Sequence, residues 1–295
     1  MRCLNLKVTY ECSNRCSFCF SSYLNDCAIS EYDLTKTLVE GRQKGCEGIV
    51  FSGGEPTLSR SLVNLLKLSK ELNYKKCIIQ TNGKGLVDDG CDLVQYLHKY
   101  SQKIDISISF SIHGSTQEIH EKMTGTIGSF ECLMSAIKNI YRTSCSIYTN
   151  TVISNINKSD LIAIIELIMP YNPTIMQFAV MHIQSGGNSL APALIDSLKA
   201  ILALKGRIKE DVLRTEGIPY CLMRSMEACV GESYWPTTLD ICNSTEKYFE
   251  NFDQLASGMR YKPAQCQECI FDKLCKGIWY EHREEFDSLN VLPIK

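Results

Sequence analysis

Apolar residues recur along the first two thirds of the chain in two alternating rhythms, which predict strands and helices in turn. Leu4–Thr9 reads as a first strand. A helix is expected to start at Ser30, with Asp33 three residues on as a capping acid. Gly48–Ser52 is a short buried strand, and Ser61–Asn73 a helix with Leu62, Leu65, Leu66 and Leu68 on one side. Lys76–Thr81 follows as a strand and Cys91–Tyr100 as a helix. Asp105–Ser111 alternates strictly and is a strand. Ser115 and Glu118 form a second capping pattern, and Phe130–Arg142 is helical. Ser146–Ile153 is a strand, Ser159–Met169 a helix, Thr174–Met181 a strand and Ala193–Leu204 a helix. Strands that each lead into helical sequence predict a parallel sheet with right-handed crossovers. Six such units fall short of the eight of a closed barrel. The expected fold is therefore α/β, a partial (β/α)6 TIM-like barrel whose active site lies at the C-terminal strand ends.

After about Gly206 the periodicity weakens. Cys221, Cys229, Cys242, Cys266, Cys269 and Cys275 crowd into a stretch broken by Gly, Pro and polar residues. The expected organisation is a barrel over residues 1–205 and a small Cys-rich domain over 206–295, held by a metal centre rather than by its own core.

Composition narrows the function. The chain of 295 residues has 31 Lys and Arg against 33 Asp and Glu, a net charge of −2. It lacks the basic excess of a nucleic-acid binder. No apolar run approaches the roughly 18 residues of a membrane span, and the N-terminus lacks a signal peptide's apolar core. Sixteen cysteines are the anomaly. A disulfide scaffold is short, loop-rich and secreted, whereas a long α/β chain without a signal is expected to be cytoplasmic and to use its thiols for metal.

Cys12, Cys16 and Cys19 stand just past the first strand and can converge on one centre from a single loop. Iron–sulfur clusters normally take four cysteines, so three leave a metal position open, as a catalytic centre requires. A structural zinc loop is the alternative. The spacing Cys-x3-Cys-x-Phe-Cys resembles the signature of the radical S-adenosylmethionine (radical SAM) enzymes. Ser52-Gly53-Gly54-Glu55-Pro56, Gln80-Thr81-Asn82-Gly83, Ser109-Phe110-Ser111-Ile112-His113-Gly114 and Asn150-Thr151-Val152 occupy the family's later stations in order. The resemblance covers roughly residues 2–205. It implies that Cys12, Cys16 and Cys19 ligate three irons of a [4Fe–4S] cluster whose fourth iron chelates S-adenosylmethionine. Phe18 is then a plane for the adenine, and Gly53 and Gly54 admit close backbone approach. Glu55 is placed near the methionine ammonium, Ser109 or Ser111 near the ribose, and Asn82 and Asn150 near the adenosyl portion. Each also has a plain structural role available, as turn, cap or satisfied strand residue. His113 reads as a turn or core histidine.

Cys266-x2-Cys269-x5-Cys275 is a second strong signal, with Cys221 or Cys242 available as a fourth thiolate. In isolation it reads as a zinc ribbon. Behind a barrel of this kind it resembles the SPASM or shortened twitch extensions. Where a full SPASM domain carries its next cysteine this chain has Trp279, and Pro236 stands at another ligand station, so one auxiliary [4Fe–4S] cluster is expected, built by four of Cys221, Cys242, Cys266, Cys269 and Cys275. Cys3, Cys46, Cys77, Cys91, Cys132 and Cys145 read as small core hydrophobes; Cys27 and Cys229 are less placed. Enzymes of this kind modify ribosomally made peptides by cross-linking, thioether formation, epimerisation or oxidation; others oxidise or cyclise small molecules. A barrel that begins at residue 2 leaves no N-terminal peptide-recognition domain, so leader binding would fall to a separate protein or the barrel rim. An electron donor such as flavodoxin or ferredoxin is implied. Gln177 and His182 are candidate substrate contacts, Gly186-Gly187 a candidate closure of the cofactor site. Asp211, Glu216, Tyr220, Trp235 and Tyr280 are candidate residues between the two parts, without assigned proton-transfer roles.

Overall fold

A computed structural model describes residues 1–19, 29–182, 189–234 and 258–295, together with the backbone of two strands at 238–243 and 248–251. The parallel strands are β1 (Arg2–Thr9), β2 (Gly48–Gly53), β3 (Lys76–Thr81), β4 (Asp105–Ser111), β5 (Ser146–Ile153), β6 (Ile175–Val180) and β7 (Leu213–Glu216). Between them run α1 (Glu31–Gln43), α2 (Leu62–Glu71), α3 (Asp92–Tyr100), α4 (Gln117–Thr124), α5 (Ser129–Tyr141), α6 (Leu161–Ile168) and α7 (Leu194–Leu202). Two further strands, β8 (Thr238–Asn243) and β9 (Tyr248–Asn251), complete an open sheet in the order β7-β6-β5-β4-β3-β2-β1-β8-β9. β8 runs parallel to β1, and β9 antiparallel to β8.

The six expected strands thus form as read, and the sheet is longer at both ends than the periodicity foretold. β7 has four residues, too few for a period of two to stand out. It is nevertheless built into the sheet, for Gln177 and Ala179 of β6 pair with Arg214 and Glu216. Strands from beyond residue 206 therefore extend both edges of the barrel sheet.

The two faces of the sheet differ in character. On β1, Leu4, Leu6 and Val8 are almost wholly buried and share a core with Leu34 and Leu38 of α1. The alternate residues Asn5, Lys7 and Thr9 are half-buried and polar. The register sets Lys7 beside Ser52, Gln80 beside Ser109, Ser111 beside Asn150 and Asn150 beside Gln177. A parallel sheet packed on both sides would be apolar throughout. Here the face turned from the helices carries hydroxyls, amides and charges, the chemistry of a binding chamber.

Local capping follows the sequence with one correction. Ser30 caps α1: its Oγ accepts from the Asp33 N–H at 3.1 Å and donates to the Asp33 carboxylate at 2.6 Å. Ser115, however, does not cap α4. The cap is Thr116, whose Oγ1 accepts from the Ile119 N–H, because Ser115 is drawn to Asp160, to which its N–H and hydroxyl both donate at 2.6 Å. A charged acceptor outbids an uncharged helix end.

The C-terminal segment has little regular structure. β10 (Arg260–Tyr261) pairs antiparallel with β11 (Ile278–Trp279), and α8 (Arg283–Ser288) follows. Among the described residues no helix is long and apolar enough to cross a membrane.

Candidate active site

The Cys12–Cys19 loop leaves the C-terminal end of β1 through Tyr10, which is buried. It is held from two sides. The Arg15 N–H donates to the Thr124 carbonyl at 2.9 Å. On the other side the Gly54 N–H donates to the Thr9 carbonyl and the Glu55 N–H to the Glu11 carbonyl, each at 2.7 Å. This contact requires glycine. A Cβ on Gly53, whose φ is +127°, would stand 2.1 Å from the Thr9 oxygen; one on Gly54 would stand 2.2 Å from the Glu11 oxygen. The Gly-Gly pair therefore lets the loop emerging from β1 lie against the end of β2.

Glu55 is buried, and its carboxylate accepts from the Thr57 N–H (3.0 Å), the Thr57 hydroxyl, the Thr81 hydroxyl (2.6 Å) and the Asn82 N–H (2.6 Å). It ties the ends of β2 and β3 together and fixes Asn82. The Asn82 Nδ2 in turn donates to Ser13 Oγ at 3.2 Å and points at Cys12 Sγ from 3.7 Å. Glu55 thus reaches the cysteine loop through Asn82, while Thr57 and Thr81, which sequence reasoning did not single out, hold its other carboxylate oxygen.

Phe18 stands edge-on to His113, with ring centroids 4.8 Å apart. His113 accepts at Nδ1 from the Val152 N–H at 3.3 Å, and its backbone N–H donates to His120 Nδ1 at 3.2 Å. Burial lowers His113 to about 3 and His120 to about 4, so both imidazoles are neutral. The turn histidine expected at 113 is therefore the support on which Phe18 rests. Burial and the neighbouring Cys19 and Cys12 push the Cys16 thiol up to about 12, and Cys12 is raised for similar reasons. Thiols so placed ionise when a cationic metal meets them; three on one loop are donors of the kind an iron–sulfur cluster takes.

Ser109 and Ser111 share the polar face of β4, beside Gln80 and Asn150 respectively. At the next strands Gln177 Nε2 donates both to Asn150 Oδ1 (3.2 Å) and to Glu216 Oε2 (2.8 Å). Burial, then the neighbouring Glu232, raises Glu216 to about 7. His182 lies instead against Trp279, with centroids 4.6 Å apart, and within 3.3 Å of Glu281. Gly186-Gly187, Cys27 and Trp235 lie outside the described residues.

The second thiol set also converges. Cys221, Cys266, Cys269 and Cys275 line one small cavity with Tyr220, Tyr261 and Phe286. The Gly277 N–H donates to Cys275 Sγ at 3.4 Å, and the Tyr220 ring stacks on Phe271 at 4.2 Å. Cys242 lies on β8, its backbone paired with Leu6 of β1; its side chain is outside the described residues. Cys3, Cys46 and Cys77 are buried, and Cys229 is buried with its thiol toward the Glu210 carbonyl. Trp279, where a further cysteine would stand, is a buried plug. Its Nε1 donates to the Val180 carbonyl at 3.2 Å, Gly217 leaves room for it, and the Arg260 guanidinium lies 3.5 Å from its ring centre. The sequence signal for this was the substitution itself, an aromatic residue at a ligand station.

Comparison with known proteins places these features. Residues 6–168, more than half the chain, match the model of the Radical SAM superfamily. A probable GTP 3',8-cyclase of Saccharolobus solfataricus is 27% identical over 171 residues, 56% of this chain and 52% of that protein. The chain thus spans about half the length of the curated relatives it matches. Among solved structures, Streptococcus suis SuiB bound to S-adenosylmethionine superposes with a TM-score of 0.70 at 18% identity, over 99% of this chain and 76% of SuiB. SuiB bound to its precursor peptide SuiA gives 0.69 at 17% identity, over 96% and 72%. AnSMEcpe with bound AdoMet and the Cp18Cys peptide gives 0.63 at 17% identity, over 94% and 88%. At these identities the structures show a shared fold.

Proposed function

The chain belongs to the radical SAM superfamily, and from that premise we propose that Cys12, Cys16 and Cys19 hold the catalytic [4Fe–4S] cluster of a peptide-modifying enzyme. The observation that carries the site is the cysteine loop itself, at the C-terminal end of β1 and braced by the Gly53-Gly54-Glu55 segment. When bound, the cluster and S-adenosylmethionine supply a 5′-deoxyadenosyl radical that abstracts a substrate hydrogen. The protein's own residues position and shelter. Phe18, held on His113, offers a face for the adenine. Asn82, fixed by Glu55, sits beside Cys12. Ser109, Ser111 and Asn150 present hydroxyl and amide groups from the polar face of β4 and β5.

Residues 206–295 are proposed as a twitch-like auxiliary domain, although β7 and β8 lie in the barrel sheet. Cys221, Cys266, Cys269 and Cys275 suit one further [4Fe–4S] cluster, since all four line one cavity. Among the described residues no three His, Cys, Asp or Glu side chains stand close enough for a single ion. Cys242 then drops out of the ligand set.

Peptide modification is favoured because the likeness to SuiB and anSMEcpe runs through the C-terminal segment as well as the barrel. Oxidation or cyclisation of a small molecule is the second reading. It is supported by the sequence likeness to a probable GTP 3',8-cyclase, which is confined to about half the chain. An electron donor such as flavodoxin or ferredoxin and a cytoplasmic setting complete the proposal. The test is 5′-deoxyadenosine formation by the reduced, reconstituted protein. Its appearance, lost on Cys12→Ala, supports the enzyme reading; its absence from the wild type overturns it. Turnover of a leader-bearing peptide and not of nucleotides then decides between the two substrate readings.

A further inference from the structure

Three side chains on neighbouring strands make one hydrogen-bonded row along the polar face: Asn150 of β5, Gln177 of β6 and Glu216 of β7. The chemistry of the row fixes its direction. An ionised carboxylate only accepts, so Gln177 must turn its NH2 toward Glu216, as the 2.8 Å contact shows. The other hydrogen of that NH2 goes to Asn150 Oδ1 at 3.2 Å. Asn150 is then left with its own NH2 to offer.

Behind the row lies an unbalanced buried charge set. Glu232 is buried on the turn Gly231–Tyr234. One of its oxygens takes the Gly217 N–H at 2.8 Å and lies 3.3 Å from the Arg260 guanidinium. Burial pushes the Glu232 carboxyl up, and the Arg260 guanidinium and the Gly217 N–H against it oppose that push; Glu216, one peptide away from Gly217, shares the same region without so close a cation. The other charged groups around it are directed elsewhere. Arg214 of β7 donates to the Glu210 and Leu213 carbonyls and lies over the Tyr234 ring. His182 and Glu281 pair with each other beside Trp279.

We propose that Glu216 is a positioning residue: through Gln177 it sets whether Asn150 presents a hydrogen-bond donor or an acceptor to S-adenosylmethionine. When Glu216 takes a proton it becomes a donor to Gln177 Oε1, the glutamine amide turns over, and Asn150 turns its oxygen outward. No atom is gained or lost except that one proton. Burial and the nearby Glu232 raise Glu216 to about 7, so the reversal falls in the range where the protein works. The inference rests on the reading that Asn150 contacts the adenosyl portion.

The experiment is equilibrium dialysis of radiolabelled S-adenosylmethionine against the anaerobic, cluster-loaded protein between about pH 5.5 and about pH 8.5. For the wild type, affinity is expected to fall roughly threefold to tenfold as pH drops through the midpoint, the loss of one hydrogen bond. Glu216→Gln, which offers an acceptor at every pH, is expected to flatten the profile. Gln177→Met, which severs the row without touching the carboxylates, is expected to flatten it too and serves should Glu216→Gln fold poorly. Asn150→Ala is expected to bind weakly throughout. A wild-type slope retained in both Glu216→Gln and Gln177→Met overturns the positioning role and leaves the Asn150 contact standing. Wild-type affinity in Asn150→Ala overturns the contact itself.

Discussion

Replacing Gly54 by alanine tests how the cysteine loop is held. The added Cβ would fall 2.2 Å from the Glu11 oxygen, 2.5 Å from the Tyr10 oxygen and 2.7 Å from the Glu11 carbonyl carbon. All three are backbone atoms, so no side chain can swing aside. The segment 9–11 must move from the end of β2, and two 2.7 Å hydrogen bonds, Gly54 N–H to Thr9 and Glu55 N–H to Glu11, go with it. Each bond contributes about 1 kcal/mol, and overpacking of this kind costs about 1–3 kcal/mol. The expected loss is about 4 kcal/mol, a large share of an ordinary domain's stability. Urea unfolding of the protein without added iron measures this directly. Iron uptake on anaerobic reconstitution should fall in parallel, because the displaced segment leads directly into Cys12, the first proposed ligand. Gly258→Ala is the control: a Cβ there meets nothing within 4 Å. Its change should stay within about 0.5 kcal/mol. A Gly54→Ala protein within about 1 kcal/mol of wild type that takes up full iron would refute the bracing argument.

Trp279→Ala removes a buried indole, its hydrogen bond to Val180 and the stacked Arg260. A cost of about 3–5 kcal/mol is expected in the same urea assay; a cost under about 1 kcal/mol would show that Trp279 does not hold the C-terminal segment to the barrel. Glu216 gives a pH-dependent stability. Its folded pKa of about 7 lies above the 4.5 of an ordinary glutamate, so the bound proton favours the folded state, fully below the unfolded pKa and progressively less as pH rises through the folded one. Relative to Glu216→Gln, the wild type should therefore lose stability from about pH 4.5 to pH 7, by up to about 3 kcal/mol. A difference that is constant with pH would contradict the raised pKa.

Much of the barrel was legible because its helices and strands carry the two periods cleanly. β4, whose apolar residues alternate with Asp105, Ser109 and Ser111, occurs over the expected residues, and its serines share a face with Asn150. Composition could not show that this face is polar from strand to strand, since each strand contributes only a few such residues. The added strands were missed for a related reason: in Leu213–Glu216 the residues that would be polar on an exposed strand, Arg214 and Thr215, are themselves buried. The capping error at Ser115 arose from an acceptor 45 positions away, Asp160, that no local pattern reveals. The same holds for the site. The cysteine spacing announced the first thiol loop, and the Gly-Gly pair announced a close approach. The carboxylate of Glu55 is spent on Thr57, Thr81 and Asn82, and the row from Asn150 to Glu216 crosses three strands; such partners become visible only when the strands lie side by side.

The central claim is that two separate thiol sets hold two clusters, and iron and sulfide counts on anaerobic protein test it most directly. The wild type should carry about eight irons, four for each [4Fe–4S] cluster. The triple variant Cys12→Ala/Cys16→Ala/Cys19→Ala should retain about four, and so should Cys221→Ala/Cys266→Ala/Cys269→Ala/Cys275→Ala, whereas Cys242→Ala should keep about eight. A wild type with about four irons and bound zinc, or a Cys242→Ala protein that loses a cluster, would contradict the account.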